Sequence, residues 1–224
     1  MAANFQKSDI KEFDQEQLVS WLKKHHIRPF RASQILKWVH IRQADTFEEM
    51  TDLKKEVRYL IAKYFTIDRL ELQAIETSKD GSYKYLFALK DGHCVESVLI
   101  PERNHFTLCI SSQVGCAQGC AFCLTARSGW HRNLTCGEIV AQVRDVIRYH
   151  HHENPVTNIV FMGMGEPLAN YDQVIKAISV ITDHEHGLRF ANRRVTLSTA
   201  GLVPEMLELG QNTKINLAVS LNAS

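Results

Sequence analysis

Three cysteines, Cys116, Cys120 and Cys123, lie close together in the chain with the spacing C-x3-C-x2-C. This spacing is typical of a metal site, and iron–sulfur clusters are usually held by four cysteine thiolates. Three thiolates on a four-iron cluster leave one iron without a protein ligand, and that iron can bind a substrate or cofactor. The spacing therefore indicates a site that can bind and activate a substrate or cofactor, and not only one that stores electrons.

Two other interpretations of these cysteines are open. Zinc could take the three thiolates with His131 as a fourth ligand, which would give a tetrahedral site. Disulfides are the other alternative, because the chain has six cysteines. No apolar segment follows Met1, so we expect no secretory signal, and disulfide scaffolds belong to oxidising compartments. The spacing alone favours a cluster over zinc.

The bulk composition is that of an ordinary globular protein. The chain has 224 residues, of which 45% are hydrophobic and 23% charged, and its net charge is +1. No apolar run approaches the roughly 18 residues of a membrane span. Composition therefore predicts a substantial core and no membrane segment.

The local charge of residues 23–42 is more informative. This segment contains six cations and three histidines but no acidic residue. The cations are Lys23, Lys24, Arg28, Arg31, Lys37 and Arg42. Such a basic segment is typical of proteins that bind phosphate backbones, although a solvated basic helix face would look the same.

Hydrophobic periodicity divides the chain into three parts. Residues 1–66 are predicted to be a small helical domain, with Pro29 between the first two helices and a third helix over about 54–64. Residues 67–104 are predicted to form a short antiparallel β connector, with strands over 70–77, 83–89 and 93–100.

Residues 105–224 alternate strand and helix, which predicts an α/β fold with a parallel sheet. We expect strands over 107–111, 157–162, 194–198 and 214–220, and helices over 135–150, 171–181 and 203–209. Polar or glycine-rich loops follow all four strands. Active sites of such folds gather at the carboxyl ends of the strands, so we expect these loops to share one rim.

The motifs resemble those of the RlmN/Cfr family of radical S-adenosylmethionine RNA methyltransferases, and the RlmN branch is the closer match. The resemblance rests on residues 109–116, the cysteine loop, residues 163–167 and residues 193–199. It implies a partial radical-SAM (β/α) barrel, preceded by the helical domain and the β connector. It also implies methylation of C2 of an adenosine in 23S rRNA and of a tRNA adenosine next to the anticodon, through a methyl-cysteine intermediate.

Residue roles follow from the resemblance position by position. Cys116, Cys120 and Cys123 would hold a 4Fe-4S cluster, whose open iron would chelate S-adenosylmethionine. Glu96 matches the proton acceptor, and Cys109 matches the cysteine that resolves the covalent adduct through a transient disulfide. The implied cofactor-binding residues are Gly165, Glu166, Ser198, Ser220, Leu221 and Asn222, and many relatives have histidine where this chain has Asn222.

The methyl-carrying cysteine of the family lies near the C-terminus, and no residue of this chain matches it. We therefore expect that the chain is a fragment and is inactive in methylation by itself. The implied partners are 23S rRNA, tRNA and an electron donor such as flavodoxin or ferredoxin. We expect a cytoplasmic monomer that contacts RNA through Lys23, Lys24, Arg28 and Arg31.

Two alternative functions are open. One is Cfr-like methylation at C8 of adenosine, which product mapping would distinguish. The other is a non-catalytic RNA-binding protein with a structural metal site. Oxygen-labile iron and sulfide would favour the enzyme, and stable zinc would favour the RNA-binding protein.

Overall fold

A computed structural model describes residues 7–150 and 153–221, which group into two compact units. One unit contains the residues up to Arg69 together with Ser179–Arg189. The other contains Leu70–Ile178 and the residues from Phe190 onward. No helix in these described residues is both long and apolar enough to cross a bilayer.

The first unit is helical, as the periodicity predicted. Its elements are β1 (Ser8–Asp9), α1 (Gln15–Lys24), α2 (Arg31–Leu36), a π-helical turn (Lys37–Ile41), α3 (Lys55–Tyr64) and β2 (Phe65–Thr66). Helix α1 begins at a capping box between Asp14 and Gln17. Leu18, Leu22 and Ile35 are fully buried in its core. The π-helical turn was not predicted, because a single widened turn keeps the helical spacing of apolar residues.

The second unit is built on a seven-stranded mixed sheet. Its strands are β3 (Glu71–Thr77), β4 (Tyr83–Ala88), β5 (Cys94–Pro101), β6 (Phe106–Cys109), β9 (Val156–Phe161), β10 (Val195–Thr199) and β11 (Asn216–Val219). Strands β7 (Gln113–Gly115) and β8 (Trp130–Asn133) form a separate hairpin. The helices are α4 (Leu124–Arg127), α5 (Cys136–Tyr149), α6 (Tyr171–Thr182) and α7 (Val203–Asn212).

The order of the large sheet is β11-β10-β9-β6-β5-β4-β3. Strands β6, β9, β10 and β11 are parallel neighbours, whereas β3 to β6 pair antiparallel. The predicted α/β fold with parallel strands is confirmed, and the predicted strand ends are within two residues of those observed. The antiparallel strands of residues 67–104 extend the same sheet as the parallel ones.

Buried and less buried side chains alternate along β5, which shows that one face of the sheet is more deeply buried than the other. Val95, Ser97 and Leu99 are buried, while Glu96 and Val98 point to the opposite face. In β9 the buried positions are Ile159 and Phe161. Helix α5 is an amphipathic element that starts at the Thr135 capping box and has fully buried apolar residues such as Ile139. The less buried face is therefore the one that carries Glu96.

Candidate metal and cofactor site

The three cysteines lie on a loop between the arms of the β7–β8 hairpin. Gly115 has a φ of 76°, and a Cβ there would collide with the carbonyl oxygen of Gly129. The backbone N–H of Cys116 donates to that same oxygen at 3.0 Å. The glycine therefore allows the two arms to close tightly beneath the cysteines.

A cavity of about 260 Å³ lies between this loop and the ends of three parallel strands. Its walls include residues from the cysteine loop and from the loops that follow β9, β10 and β11. The polar and glycine residues that line it are Cys116, Gln118, Cys120, Cys123, Gly163, Gly165, Glu166, Ser198, Thr199 and Ser220. The structure thus brings together most of the residues that the sequence placed on one rim.

The loop after β9 needs its glycines for close packing. A Cβ on Gly163 would lie 2.8 Å from the backbone carbonyl of Ile110. Gly165 has a φ of 100°, and a Cβ there would meet the side chain of Gln113. A larger residue at Gly163 would push this loop away from Ile110, and one at Gly165 would push it away from Gln113 of the β7–β8 hairpin.

Glu166 is the anionic group of the cavity, and it is only 3% exposed. One carboxylate oxygen accepts from the backbone N–H of Leu168 at 3.0 Å, and the other accepts from Ala200 at 2.8 Å. Each carboxylate oxygen can accept two hydrogen bonds, so capacity remains for a cationic ligand group. The site can therefore hold an ammonium group by a charge-assisted bond.

A zinc ion and a four-iron cluster make different demands on the three cysteines. Among the described residues, no three His, Cys, Asp or Glu side chains converge on a point that one ion could occupy. Zinc would need all its thiolates about 2.3 Å from one centre. A four-iron cluster instead takes each thiolate on a different iron, which suits thiols spread around one cavity. His131 packs against the ring of His93 and is not among the described residues that line the cavity.

The charge of the cavity also fits a cationic metal group. Burial raises the pKa of the Cys116 thiol, and the nearby Cys123 and Glu166 raise it further. Metal ligation removes such a proton, because the metal charge offsets both the burial and the neighbouring anions. The donor set therefore suits a cluster that binds as the thiols ionise.

Glu96 and Cys109 share one face of the sheet outside the cavity lining. Val98 pairs directly with Cys109, and Glu96 is two residues before Val98, so all three side chains point the same way. The Glu96 carboxylate is 43% exposed and lies 3.5 Å from the Lys84 ammonium. Burial raises the pKa of Cys109 to about 11, which keeps it a thiol at neutral pH.

A buried polar network connects these parts, and the sequence analysis did not identify it. Gln142 of α5 is fully buried; its side-chain oxygen accepts from Ser97 Oγ at 3.0 Å and from the backbone N–H of Ser111 at 2.8 Å. Its amide group donates to the Ser111 carbonyl at 2.9 Å. Ser111 Oγ donates to the Glu96 carbonyl at 2.6 Å and accepts from the Met164 N–H at 2.9 Å.

A second amide side chain joins the cysteine hairpin to the β9 loop. Gln113 donates to the side-chain oxygen of Asn133 at 2.8 Å, and it accepts from the backbone N–H of Glu166 at 2.9 Å. Arg132 on the same hairpin pairs with Asp91 and with both oxygens of Glu138. The guanidinium holds the pKa of Asp91 below its usual range.

Some predicted site residues differ from expectation or cannot be placed. Leu221 is 90% exposed and is not among the described residues that line the cavity. Asn222 lies outside the described residues. A disulfide bond is not supported, because none of the six cysteines, all of which lie in the described residues, forms one in the structure.

The predicted RNA-contacting residues lie in the helical unit. Lys23, Lys24 and Arg28 are exposed at the end of α1 and in the turn that follows it. Arg31 is half-buried, donates to Gln34 at 2.5 Å and also donates to the Asp52 carbonyl at 3.1 Å. Three of the four cations are thus available to solvent.

Two protein-family models match the chain. The model of the radical SAM superfamily matches residues 110–224, which is just over half of the chain. The chain therefore belongs to the radical SAM superfamily. The model of the ribosomal RNA large subunit methyltransferase N-terminal domain matches residues 8–67.

The relatives narrow this assignment. The chain is 53% identical over 216 residues to the dual-specificity RNA methyltransferase RlmN of Desulfosudis oleivorans, covering 96% of this chain and 58% of the relative. It is 54% identical over 216 residues to the RlmN of Geobacter sulfurreducens, covering 96% and 59%. The resemblance to the RlmN/Cfr family is confirmed, and the chain spans about 60% of the length of these relatives.

A solved structure is similar throughout the chain. It is the crystal structure of a radical SAM methyltransferase from Sphaerobacter thermophilus, with a TM-score of 0.88 and 37% identity. The match covers 96% of this chain and 64% of that one. A 4Fe-4S cluster and S-adenosylmethionine are the cofactors of this family, so the cofactor prediction is confirmed.

Proposed function

We propose that this chain is the cluster- and cofactor-binding part of a radical SAM methyltransferase that acts on C2 of adenosine in 23S rRNA and in tRNA. The observation that carries the proposal is the single cavity that contains three cysteine thiols, a buried carboxylate and two serine hydroxyls. Cys116, Cys120 and Cys123 would hold the cluster. The cluster and S-adenosylmethionine together supply the radical chemistry that an aromatic carbon requires.

The other cavity residues would bind and orient the cofactor. Glu166 is held by two backbone N–H groups, and its free acceptor sites would receive the methionyl ammonium. Gly165 allows the backbone to approach closely. Ser198 Oγ and Ser220 Oγ lie 3.4 Å apart on neighbouring strand ends, where they would contact the rest of the cofactor.

Glu96 and Cys109 point to the same face of the sheet, and each would have one chemical role there. Glu96 would accept a proton from the base, and Cys109 would act as a nucleophilic thiol. The Glu96 carboxylate, which lies 3.5 Å from the Lys84 ammonium, would accept the adenine ring proton. Cys109 would be the thiol that attacks the sulfur of the methyl-carrying residue and breaks the S–C bond to the modified base, so that the electron pair of that bond leaves with the base. Because burial raises its pKa to about 11, Cys109 must lose its proton as it attacks. No residue of this chain is assigned as the methyl carrier.

The helical domain, residues 1–66, would bind folded RNA. Lys23, Lys24 and Arg28 are exposed cations, and Arg31 is next to them. Residues 67–104 would connect this domain to the barrel portion over 105–224. We further propose a cytoplasmic monomer that receives electrons from a donor such as flavodoxin or ferredoxin.

The cofactor part of the proposal predicts an S-adenosylmethionine-dependent spectral change. After anaerobic reconstitution with iron and sulfide, the reduced chain should give an EPR signal that shifts when S-adenosylmethionine is added. Glu166→Gln should weaken that binding about 10- to 100-fold, because it removes the charge that faces the ammonium. The matched control, Glu208→Gln on the exposed face of α7, should bind normally. A signal that S-adenosylmethionine leaves unchanged would contradict the proposal.

The RNA part predicts a salt-dependent interaction. Reversing Lys23, Lys24 and Arg28 to glutamate should weaken binding to a 23S rRNA hairpin and flatten the dependence of affinity on salt, since fewer counterions are released. Filter binding over a salt series would measure both quantities. Reversal of the exposed Lys79, Lys90 and Arg103 gives the same change in net charge and should have little effect. Equal losses in both triple variants would point to net charge instead of a binding surface.

A further inference from the structure

One exposed aromatic residue lies inside the basic segment. Phe30 is 53% exposed, although it directly precedes helix α2, whose Ala32 and Ile35 are fully buried. Single exposed apolar residues are common, so exposure alone does not mark a site. The surroundings of Phe30 make it distinctive.

The turn that carries Phe30 is held in place by core packing and backbone hydrogen bonds. Ile27 packs against the core of the helical unit, and its N–H donates to the Leu22 carbonyl at 2.9 Å. The N–H groups of Arg31 and Ala32 donate back to the carbonyls of Arg28 and Pro29 at 3.1 and 3.0 Å. The turn is therefore a fixed platform, and ordering it on binding would cost little entropy.

A guanidinium is already placed against the ring. The Arg31 guanidinium carbon lies 4.8 Å from the centroid of the Phe30 ring. That guanidinium is held in place by bonds to Gln34 and to the Asp52 carbonyl, while the Asp52 carboxylate accepts from Trp38 Nε1 at 2.7 Å. An exposed ring beside a fixed guanidinium is the arrangement on which unpaired bases stack.

We infer that Phe30 stacks on an unpaired nucleobase, so that the basic segment recognises a single-stranded loop of folded RNA and not a duplex. The inference rests on the proposed RNA binding of this domain and specifies its substrate. Lys23, Lys24 and Arg28 would contact the flanking phosphates. A base within a duplex keeps both faces stacked and could not use the ring.

The test compares two RNAs of equal length and charge, a hairpin with an unpaired loop and a blunt duplex. Phe30→Leu should weaken binding of the full 224-residue chain to the hairpin about tenfold and leave duplex binding unchanged. The slope of affinity against salt should not change, because the substitution alters no charge and binding therefore releases the same number of counterions. Phe30→Trp should keep the hairpin affinity.

Tyr59→Leu is the matched control, since Tyr59 is 81% exposed on α3 but lies outside the basic segment of residues 23–42. It should leave both affinities unchanged. Normal hairpin binding by Phe30→Leu would overturn the stacking inference, and so would an equal loss for hairpin and duplex. The charge-reversed variant separates this result from a failure of the RNA-binding proposal. If that variant loses affinity although Phe30→Leu does not, the domain binds RNA but Phe30 does not contact a base.

Discussion

Replacing Cys116, Cys120 or Cys123 with alanine should abolish the iron and acid-labile sulfide of the reconstituted chain. Iron should fall from about four atoms per chain to near zero, because two thiolates leave a second iron of the cluster without a protein ligand. In the Cys120 and Cys123 variants, loss of the cluster should also remove the metal charge that lets Cys116 ionise despite its raised pKa. Colorimetric iron and sulfide analysis and the visible absorption of the anaerobic protein would measure the effect.

The chain offers a control for the general effect of removing a thiol. Cys94 is half-buried on β5 and does not line the cavity, so Cys94→Ala should retain full iron and sulfide. Stable zinc in the native protein, lost from the same three variants, would instead support a structural metal site. Full iron in a single Cys116→Ala variant would contradict the assignment of the ligands.

Replacing Gln142 with leucine should destabilise the chain by about 3 kcal/mol and weaken S-adenosylmethionine binding. The substitution leaves the Ser97 hydroxyl and both backbone groups of Ser111 without their buried partner, and each such loss is costly. Ser111 also bonds to Met164 and to the Glu96 carbonyl, so a shift of Ser111 would move the cofactor loop. Urea unfolding and cofactor titration would measure the two effects.

Two further variants distinguish the loss of the Gln142 hydrogen bonds from the effect of replacing any glutamine. Gln211→Leu, on an exposed position of α7, should change the free energy of unfolding by less than about 0.5 kcal/mol. Gln142→Asn keeps the amide but shortens it by one methylene, so it should also be destabilising. A Gln142→Leu protein as stable as the native chain would show that the network contributes little.

Much of the fold could be predicted from the sequence because most of the longer elements carry a recognisable period or are bounded by turn residues. The turns at Gly81 and Gly92 separate the strands of the β connector, and the apolar spacing around Ile139 predicts α5. The hairpin of β7 and β8 was missed, because Trp130–Asn133 has no alternating pattern. The grouping of Ser179–Arg189 with the N-terminal unit is a long-range association that no local pattern encodes.

The site was predictable to the extent that single residues carry distinct chemistry. Thiols, a glycine-rich turn and a carboxylate are recognisable from type and spacing. Gln113 and Gln142 are not, since an amide in a sequence usually means a solvated side chain. Gln142 did have one signal, because it interrupts the apolar run Val140–Val143 within an amphipathic helix.

The double role of Gln113 has a consequence for which amino acids the chain can accept there. Its amide must give a hydrogen to Asn133 and take one from the backbone of Glu166 at the same time. Glutamate has the length but no hydrogen to give, leucine can do neither, and asparagine is one methylene too short. In a library randomised at this codon, glutamine should be almost the sole survivor of selection for cofactor binding.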